Sequence, residues 1–345
     1  MEKRSILIIY TGGTIGMVAD PKTGTLHPLN LEGLYKSIPL LGQFEYHLEF
    51  IAFSPVLDSS NIDPDHWVHL ANIIEEHYES FDGFVVLHGS DTMAYTASAL
   101  SFMLENLNKP VILTGSQLPL GMLRTDGREN FVTSVEIAAA QEQDTAIVPE
   151  VAICFESRLL RGNRTTKYNA EHFQAFHSGN YPALAEAGVN IKYHRNYIMK
   201  PKFKKLKVNK TFDNNIALLK LFPGISAAFV RSVLFTPGLK GLVLETFGTG
   251  NATTAGWFLD MLRDAIARGI VIVNVTQCLA GSVEMGKYKT SIELGNIGII
   301  SGHDMTTESA LTKMMYLLGA GFDTDTVKRL IEKPLRGEIT ISRMV

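Results

Sequence analysis

The sequence lacks most of the features that mark secreted, membrane-bound or metal-dependent proteins. Its 345 residues include only two cysteines, Cys154 and Cys278. Each lies in or beside an apolar stretch, so we expect two buried free thiols rather than a disulfide. The apolar run near the N-terminus is too short for a signal peptide, and no stretch approaches the length of a membrane span. We therefore expect a cytoplasmic protein without a membrane partner.

Clusters of metal ligands and charges of one sign are equally scarce. His88 stands alone and His303-Asp304 is a single pair, so we predict no metal site. The glycine motifs of P-loops and of dinucleotide-binding turns are absent as well. The formal net charge of −3 gives the chain no general attraction to nucleic acid.

One segment departs from this charge balance. Residues 192–210 are rich in lysine and arginine and contain scattered aromatic residues, as a nucleic-acid patch would. Because the rest of the chain is slightly acidic, we interpret the segment as a solvated linker or an exposed hairpin and expect no nucleic-acid partner. We place a linker at 191–213, between an N-terminal domain at 1–190 and a C-terminal domain at 214–345.

What the sequence does contain is a repeated order of apolar strand, small-residue turn and amphipathic helix. This alternation indicates an α/β architecture with a parallel sheet and right-handed crossovers. The apolar runs are continuous rather than alternating, which is typical of strands buried on both faces. Strands are predicted at 6–9, 48–53, 84–87, 111–113 and 151–155 in the first half, and at 216–222, 241–244 and 270–275 in the second.

Hydroxyl groups follow three of these strands, at the edge where parallel sheets bind ligands. Thr14 follows the Gly12-Gly13 turn and is placed to act as a nucleophile if a base lies nearby, although a threonine there can equally cap a helix. Ser90-Asp91 offers a second hydroxyl with a carboxylate, or an N-cap pair for the next helix. Ser116 follows the strand predicted at 111–113. We expect these strand ends to converge on one crevice.

Lys167 is the candidate base for such a site. It ends the stretch Arg161-Gly162-Asn163-Arg164-Thr165-Thr166-Lys167. Burial favours the neutral form of a lysine, so a partly desolvated lysine can activate a hydroxyl. By composition alone, an exposed lysine in a basic loop is the more common case.

Seven stretches of the chain share residues and order with one family. They are 10–17, 88–93, 113–117, 161–167, 248–251, 274–278 and 304–306. These stretches are similar to the bacterial L-asparaginases, and most closely to the cytoplasmic type I group. The resemblance runs nearly from end to end of the chain, and so many motifs in the same order leave little room for chance.

The resemblance implies a doubly wound, mainly parallel N-terminal domain, a smaller C-terminal α/β domain, and hydrolysis of asparagine to aspartate and ammonia without a cofactor. Thr14 matches the nucleophile that forms an acyl-enzyme, and Ser90 matches a second hydroxyl. Asp91 and Lys167 match its carboxylate and lysine partners. Asparagine is the expected substrate, with minor activity on glutamine.

The same resemblance implies how the substrate is held and how the chains assemble. Asn251 matches a residue contributed across a subunit interface, so a homo-oligomer is expected, either a dimer or a dimer of dimers. The residues implied to contact the substrate are Asp58, Ser59, Ser60, Gly89, Ser116 and Asn251.

Three positions depart from the pattern of this family. Ser90 replaces the usual threonine, which keeps the hydroxyl but loses the methyl that stiffens χ1. The stretch 20–28 lacks the flap tyrosine of many relatives; Tyr288 is the candidate to activate Thr14, unless it is an exposed loop aromatic. Glu245 stands where some type I enzymes use an arginine to bind asparagine at a second site. A carboxylate ligand would meet a like charge there, so we predict weak or absent asparagine allostery.

Two other functions compete with asparagine hydrolysis. The asparaginase-like subunit of a tRNA-dependent amidotransferase carries an extra N-terminal domain, for which we expect no room before the strand at residue 6. A non-catalytic amino-acid sensor on the same fold is disfavoured because Thr14, Ser90, Asp91 and Lys167 occur together. Asparagine hydrolysis is therefore the leading hypothesis.

Overall fold

The structure is a computed structural model that describes residues 3–19, 26–28, 33, 38, 45–286 and 289–340. The chain divides into two compact units, Met1–Asn209 and Lys210–Val345. The domain boundaries expected from the sequence, with a linker at 191–213, stay predictions. Ile191–Tyr193, inside that range, forms a strand of the first unit.

The first unit is built on an eight-stranded mixed sheet. The strands are β1 (Ser5–Gly12), β2 (His47–Leu57), β3 (Gly83–Leu87), β4 (Val111–Thr114), β5 (Val151–Phe155), β6 (Arg158–Arg161), β7 (Ala185–Ala187) and β8 (Ile191–Tyr193). Their order across the sheet is β8-β7-β6-β5-β4-β3-β1-β2. The pairs from β2 across to β5 are parallel, and the pairs from β5 to β8 are antiparallel. The mainly parallel sheet is confirmed, with an antiparallel extension at one edge.

Within the described ranges, the helices that accompany this sheet are α1 (Pro64–His77), α2 (Met93–Met103) and α3 (Gly127–Ala139). The start of α1 is as predicted: the Asp63 carboxylate accepts N–H groups of Asp65 at 3.0 Å and His66 at 3.2 Å, and proline occupies the first helical position. Short strand pairs join Met17–Ala19 with Leu26–Pro28, Leu104–Glu105 with Lys207–Val208, Gln141–Glu142 with Thr145–Ala146, and Thr166–Lys167 with Phe176–His177.

Strand β1 lies in the interior of this unit. Residues 6–9 are fully buried, which confirms the prediction that both faces of this strand are covered. Ile6 and Ile8 belong to one apolar cluster with Phe131 and Val135 of α3. The strand that ends at the Thr14 turn is thus fixed by packing, since buried apolar area is the main stabilising term.

The second unit is a four-stranded parallel sheet in the order β9 (Ile216–Lys220), β10 (Gly241–Thr246), β11 (Val271–Thr276) and β12 (Ile300–Ser301). Leu242 and Leu244 pack with Phe258 on one face, and Val243 packs with Met314 on the other. The smaller α/β domain is therefore confirmed. Its helices are α4 (Ala227–Leu234), α5 (Gly256–Ala267), α6 (Lys289–Asn296), α7 (Thr307–Gly319) and α8 (Thr324–Ile331).

Both cysteines are free thiols. Cys154 is buried in β5, and burial raises its pKa to about 12. The expectation of burial was wrong for Cys278, which is exposed. It lies two residues past the end of β11, where its N–H donates to the Thr276 hydroxyl at 3.0 Å. The apolar run that suggested burial has already ended there.

Candidate active site

The Thr14 turn follows β1 directly. Gly12 and Gly13 have positive φ values of 138° and 86°, a region that side chains rarely adopt. Thr14 then begins a single 3-10 turn, Thr14–Gly16, and its side chain is exposed. A Cβ on Gly13 would lie 2.4 Å from Gly89 Cα. The turn that carries Thr14 therefore lies against the backbone that carries Ser90.

Tyr10 supports the same turn from below. Its ring is fully buried, and burial raises the pKa of its hydroxyl to about 12. A Cβ on Gly16 would lie 2.1 Å from this ring, so only glycine fits at that position. The Tyr10 hydroxyl donates to the Gly13 carbonyl at 3.4 Å.

Ser90, Asp91 and Lys167 lie together, as the sequence led us to expect. Lys167 Nζ donates to Ser90 Oγ at 2.8 Å and to Asp91 Oδ1 at 2.6 Å. The lysine side chain is 16% exposed and the aspartate 67%. Lys167 is therefore a shielded, partnered group rather than a loop lysine in water, and it presents its ammonium to a hydroxyl.

Asp58, Ser59 and Ser60 form the turn after β2. Asp58 Oδ1 accepts the Ser60 N–H at 2.9 Å and the Ser60 hydroxyl at 2.7 Å, and these two bonds lower the pKa of the carboxyl. Ser59 is buried, and a Cβ on Gly89 would lie 2.5 Å from its Oγ. The three turns that carry Thr14, Ser59 and Ser90 are therefore neighbours.

Two further residues touch this group and had no role assigned from the sequence. Gln117 Oε1 accepts the Ser90 hydroxyl at 3.4 Å, while its Nε2 donates to the carbonyls of Ala170 and His172, each at 3.1 Å. The only feature of the sequence that could have pointed to Gln117 was its position beside Ser116 in the strand-end motif. The hydroxyl of Ser116 donates to the Leu118 carbonyl at 2.6 Å. The second residue without a predicted role is His88, whose Nδ1 lies 2.7 Å from the Gly89 carbonyl oxygen, next to Ser90.

Two remaining site predictions fall elsewhere. Asn251 lies in the second unit, where its Oδ1 accepts the Thr290 hydroxyl at 2.6 Å and its carbonyl accepts the Phe247 N–H at 2.9 Å. Tyr288 lies outside the described residues, as does most of the stretch 20–28. Their predicted roles stay predictions.

Comparison with known families decides the relationship. The model of the N-terminal asparaginase domain matches residues 5–199, and that of the glutaminase/asparaginase C-terminal domain matches residues 215–331. The chain belongs to the asparaginase family. Both halves of the match fall on the two compact units described above, which confirms the resemblance drawn from the motifs.

Individual relatives resemble the chain over nearly its whole length. L-asparaginase 1 of Escherichia coli (strain K12) is 45% identical, covering 99% of this chain and 99% of that protein. The solved L-asparaginase I from Vibrio cholerae O1 biovar eltor str. N16961 has a TM-score of 0.89 at 42% identity, covering 99% of this chain and 100% of that one. The thermostable L-asparaginase from Thermococcus kodakarensis has a TM-score of 0.90 at 30% identity, covering 98% and 100%.

Glu245 of this asparaginase-family chain is buried. Its Oε1 accepts the Thr307 hydroxyl at 2.5 Å, and its Oε2 lies 3.2 Å from Lys220 Nζ. The carboxylate is thus occupied within its own unit, and any anion that approached it would meet a like charge.

The described ranges show neither a metal-binding cluster nor a membrane-spanning helix. In that part of the chain no group of three or more His, Cys, Asp and Glu side chains is arranged to hold a metal ion. None of its helices has the length and hydropathy needed to cross a bilayer.

Proposed function

We propose that this asparaginase-family chain hydrolyses the side-chain amide of L-asparagine, with Thr14 as the nucleophile and minor activity on glutamine. The observation that carries the proposal is the group formed by Ser90, Asp91 and Lys167, with bonds of 2.8 and 2.6 Å from Lys167. It lies next to the exposed Thr14 turn. Amide cleavage needs an activated hydroxyl and donors for the oxyanion, and these turns supply hydroxyls and backbone N–H groups.

The reaction runs in two steps. Thr14 Oγ1 bonds to the amide carbon, the C–N bond breaks, and the hydroxyl proton leaves with the nitrogen as ammonia. Water then cleaves the resulting ester, which releases aspartate and restores the threonine. We assign Tyr288 as the group that takes the Thr14 proton and passes it to the leaving nitrogen, and Lys167 as the group that activates Ser90, the second hydroxyl of the site. No cofactor takes part.

Substrate recognition rests on opposite charges. Because the bonds from Ser60 lower the Asp58 pKa, its carboxylate is ionised at neutral pH and suits the α-ammonium group of the substrate. Asp91 is the second carboxylate available for that group. The remaining contacts are assigned to Ser59, Ser60, Gly89, Ser116 and Asn251.

The first test is ammonia release measured side by side with asparagine and glutamine. We expect Thr14→Ala to lower kcat by about 10³-fold or more, while Thr14→Ser keeps a hydroxyl and retains more of the activity. Near-normal turnover by Thr14→Ala contradicts the nucleophile assignment. A wild-type chain that binds asparagine in calorimetry but releases no ammonia favours an amino-acid sensor instead.

We propose further that the chain works as a cytoplasmic homo-oligomer, a dimer or a dimer of dimers, with Asn251 reaching the site of another copy. Free thiols suit a reducing compartment. In the test, inactive Thr14→Ala and Asn251→Ala oligomers are dissociated, mixed and allowed to reassociate. Partial recovery of activity is expected, because mixed oligomers contain sites with both native residues. No recovery in mixed oligomers contradicts a shared site.

A further inference from the structure

A buried chain of hydrogen bonds runs beneath the turn that carries Ser90. Trp67 Nε1 donates to Thr96 Oγ1 at 3.0 Å, Thr96 Oγ1 lies 2.9 Å from His88 Nε2, and His88 Nδ1 lies 2.7 Å from the Gly89 carbonyl oxygen. His88 is fully buried and Thr96 nearly so. The chain links α1 and α2 to the backbone of the site.

The direction of each bond in this chain is fixed by its partners. A carbonyl oxygen only accepts, so His88 Nδ1 carries the proton. Nε2 of the neutral ring then accepts, and the Thr96 hydroxyl donates to it while accepting from the indole N–H. Burial lowers the His88 pKa to about 4, which keeps the ring neutral at physiological pH. The histidine is therefore locked in one tautomer.

The Gly89 carbonyl fixes the direction of the next N–H group. The Gly89–Ser90 peptide bond is trans, so its C=O and N–H point in opposite directions. With the carbonyl held toward the buried ring of His88, the Ser90 N–H points away from the core. Among the described residues this N–H meets no acceptor. The preceding residue, Gly89, is the one that the Thr14 and Ser59 turns approach, since a Cβ on Gly13 would lie 2.4 Å from Gly89 Cα and a Cβ on Gly89 would lie 2.5 Å from Ser59 Oγ.

We propose that His88 is a positioning residue: by holding the Gly89 carbonyl in the core, it aims the Ser90 N–H at the oxyanion that develops on the substrate amide. This inference rests on the proposed amide hydrolysis. Thr96 and Trp67 act one step further away, by fixing the tautomer of His88. The ring itself touches neither substrate nor nucleophile.

The test compares His88→Leu, which removes the donor, with His88→Asn, whose side-chain N–H lies as many bonds from Cα as Nδ1. An oxyanion contact forms fully only in the transition state, so we expect His88→Leu to lower kcat by about 10²-fold with KM little changed. His88→Asn is expected to recover part of the loss. A folded His88→Leu with wild-type kcat overturns the inference.

If His88→Leu fails to fold, a less disruptive pair of variants at Thr96 tests the same inference. Thr96→Val removes the hydroxyl at nearly constant shape, whereas Thr96→Ser keeps it. We expect kcat to fall about tenfold for the valine variant, which is less than the roughly 10²-fold or more that follows removal of one oxyanion donor, because the donor is retained. The serine variant is expected to stay close to wild type. The ¹⁵N spectrum of labelled histidine reads the tautomer directly: Nδ1–H in wild type and Thr96→Ser, and a shifted pattern in Thr96→Val.

The failures of the two ideas are distinguishable. A wild-type chain that releases no ammonia contradicts the proposed function. An active wild type in which Thr96→Val shifts the tautomer but leaves kcat unchanged contradicts only the role of His88. If both members of each pair show a lower kcat together with a higher KM, the substitutions have loosened the fold in general. That result also overturns the positioning role of His88.

Discussion

At the scale of single residues, the site depends on contacts between parts of the chain that are far apart. Lys167 lies 76 positions from Asp91, and no local pattern connects them. The residue types could be picked out because they follow buried strands, where ligands bind. Their meeting was implied by family resemblance and not by spacing. His88 was missed as a functional residue because its partners, Thr96 and Trp67, lie on two separate helices.

Lys167→Met should lower kcat by about 10³-fold, because it removes the group that bonds both Ser90 and Asp91. Lys167→Arg is the matched control, since it keeps the positive charge but cannot give up a proton in proteins. If Lys167 acts as a base, the arginine variant is nearly as slow as the methionine variant in the ammonia assay. An arginine variant whose kcat lies within tenfold of the wild-type value would show that Lys167 acts only through its positive charge.

At the scale of elements, the strands and their turns were the most predictable part of the molecule. Continuous apolar runs identified β1, β3, β4 and β5 because each is covered on both faces. The glycines at 12 and 13 indicated a turn, but not the reason for them. That reason is the close approach of another stretch of backbone, Leu57 at Gly12 and Gly89 at Gly13. No single stretch of sequence reveals such a contact between elements.

Gly13→Ala should therefore destabilise the first unit by at least about 2 kcal/mol, combining a strained φ with a clash against Gly89. Gly121→Ala is the control in the same unit, since a Cβ there meets nothing within 4 Å. That change is expected to stay within about 0.5 kcal/mol. Urea unfolding followed by circular dichroism measures both. Equal stability of the two variants would contradict the tight backbone contact.

Glu245 gives a prediction about the second sheet. Because its carboxylate is held by Thr307 and Lys220, we expect no asparagine to bind beside it. Reaction velocity should rise hyperbolically with asparagine concentration, and Glu245→Ala should leave the shape of the curve unchanged. A sigmoidal curve whose cooperativity changes in Glu245→Ala would show that the site is regulatory after all.

At the scale of the whole molecule, the α/β class and the two sheets followed from alternating strands and helices. The antiparallel strands β6 to β8 did not, because two of them are only three residues long and partly exposed. Cys278 shows the same limit: hydrophobic neighbours in sequence do not decide burial when the strand has already ended.

Stability of the whole chain should depend on pH through His88. Its pKa is about 4 in the folded protein, against about 6.5 in an unfolded chain. The unfolded state therefore binds more protons than the folded state between these two pH values. As a result, the free energy of unfolding falls by up to about 3 kcal/mol as the pH drops from 6.5 toward 4. His88→Asn cannot titrate, so urea unfolding across this range should show a smaller decline for the variant. Parallel curves would contradict a buried neutral ring.

The unequal fate of the two thiols has a practical use. Cys154 is buried in β5 and its thiol has a raised pKa, whereas Cys278 is exposed. A thiol-reactive dye will therefore attach once per chain, on the second unit, without any engineered change. Stepwise photobleaching of single assemblies labelled in this way counts the copies in each particle, so the unmodified sequence carries its own probe of stoichiometry.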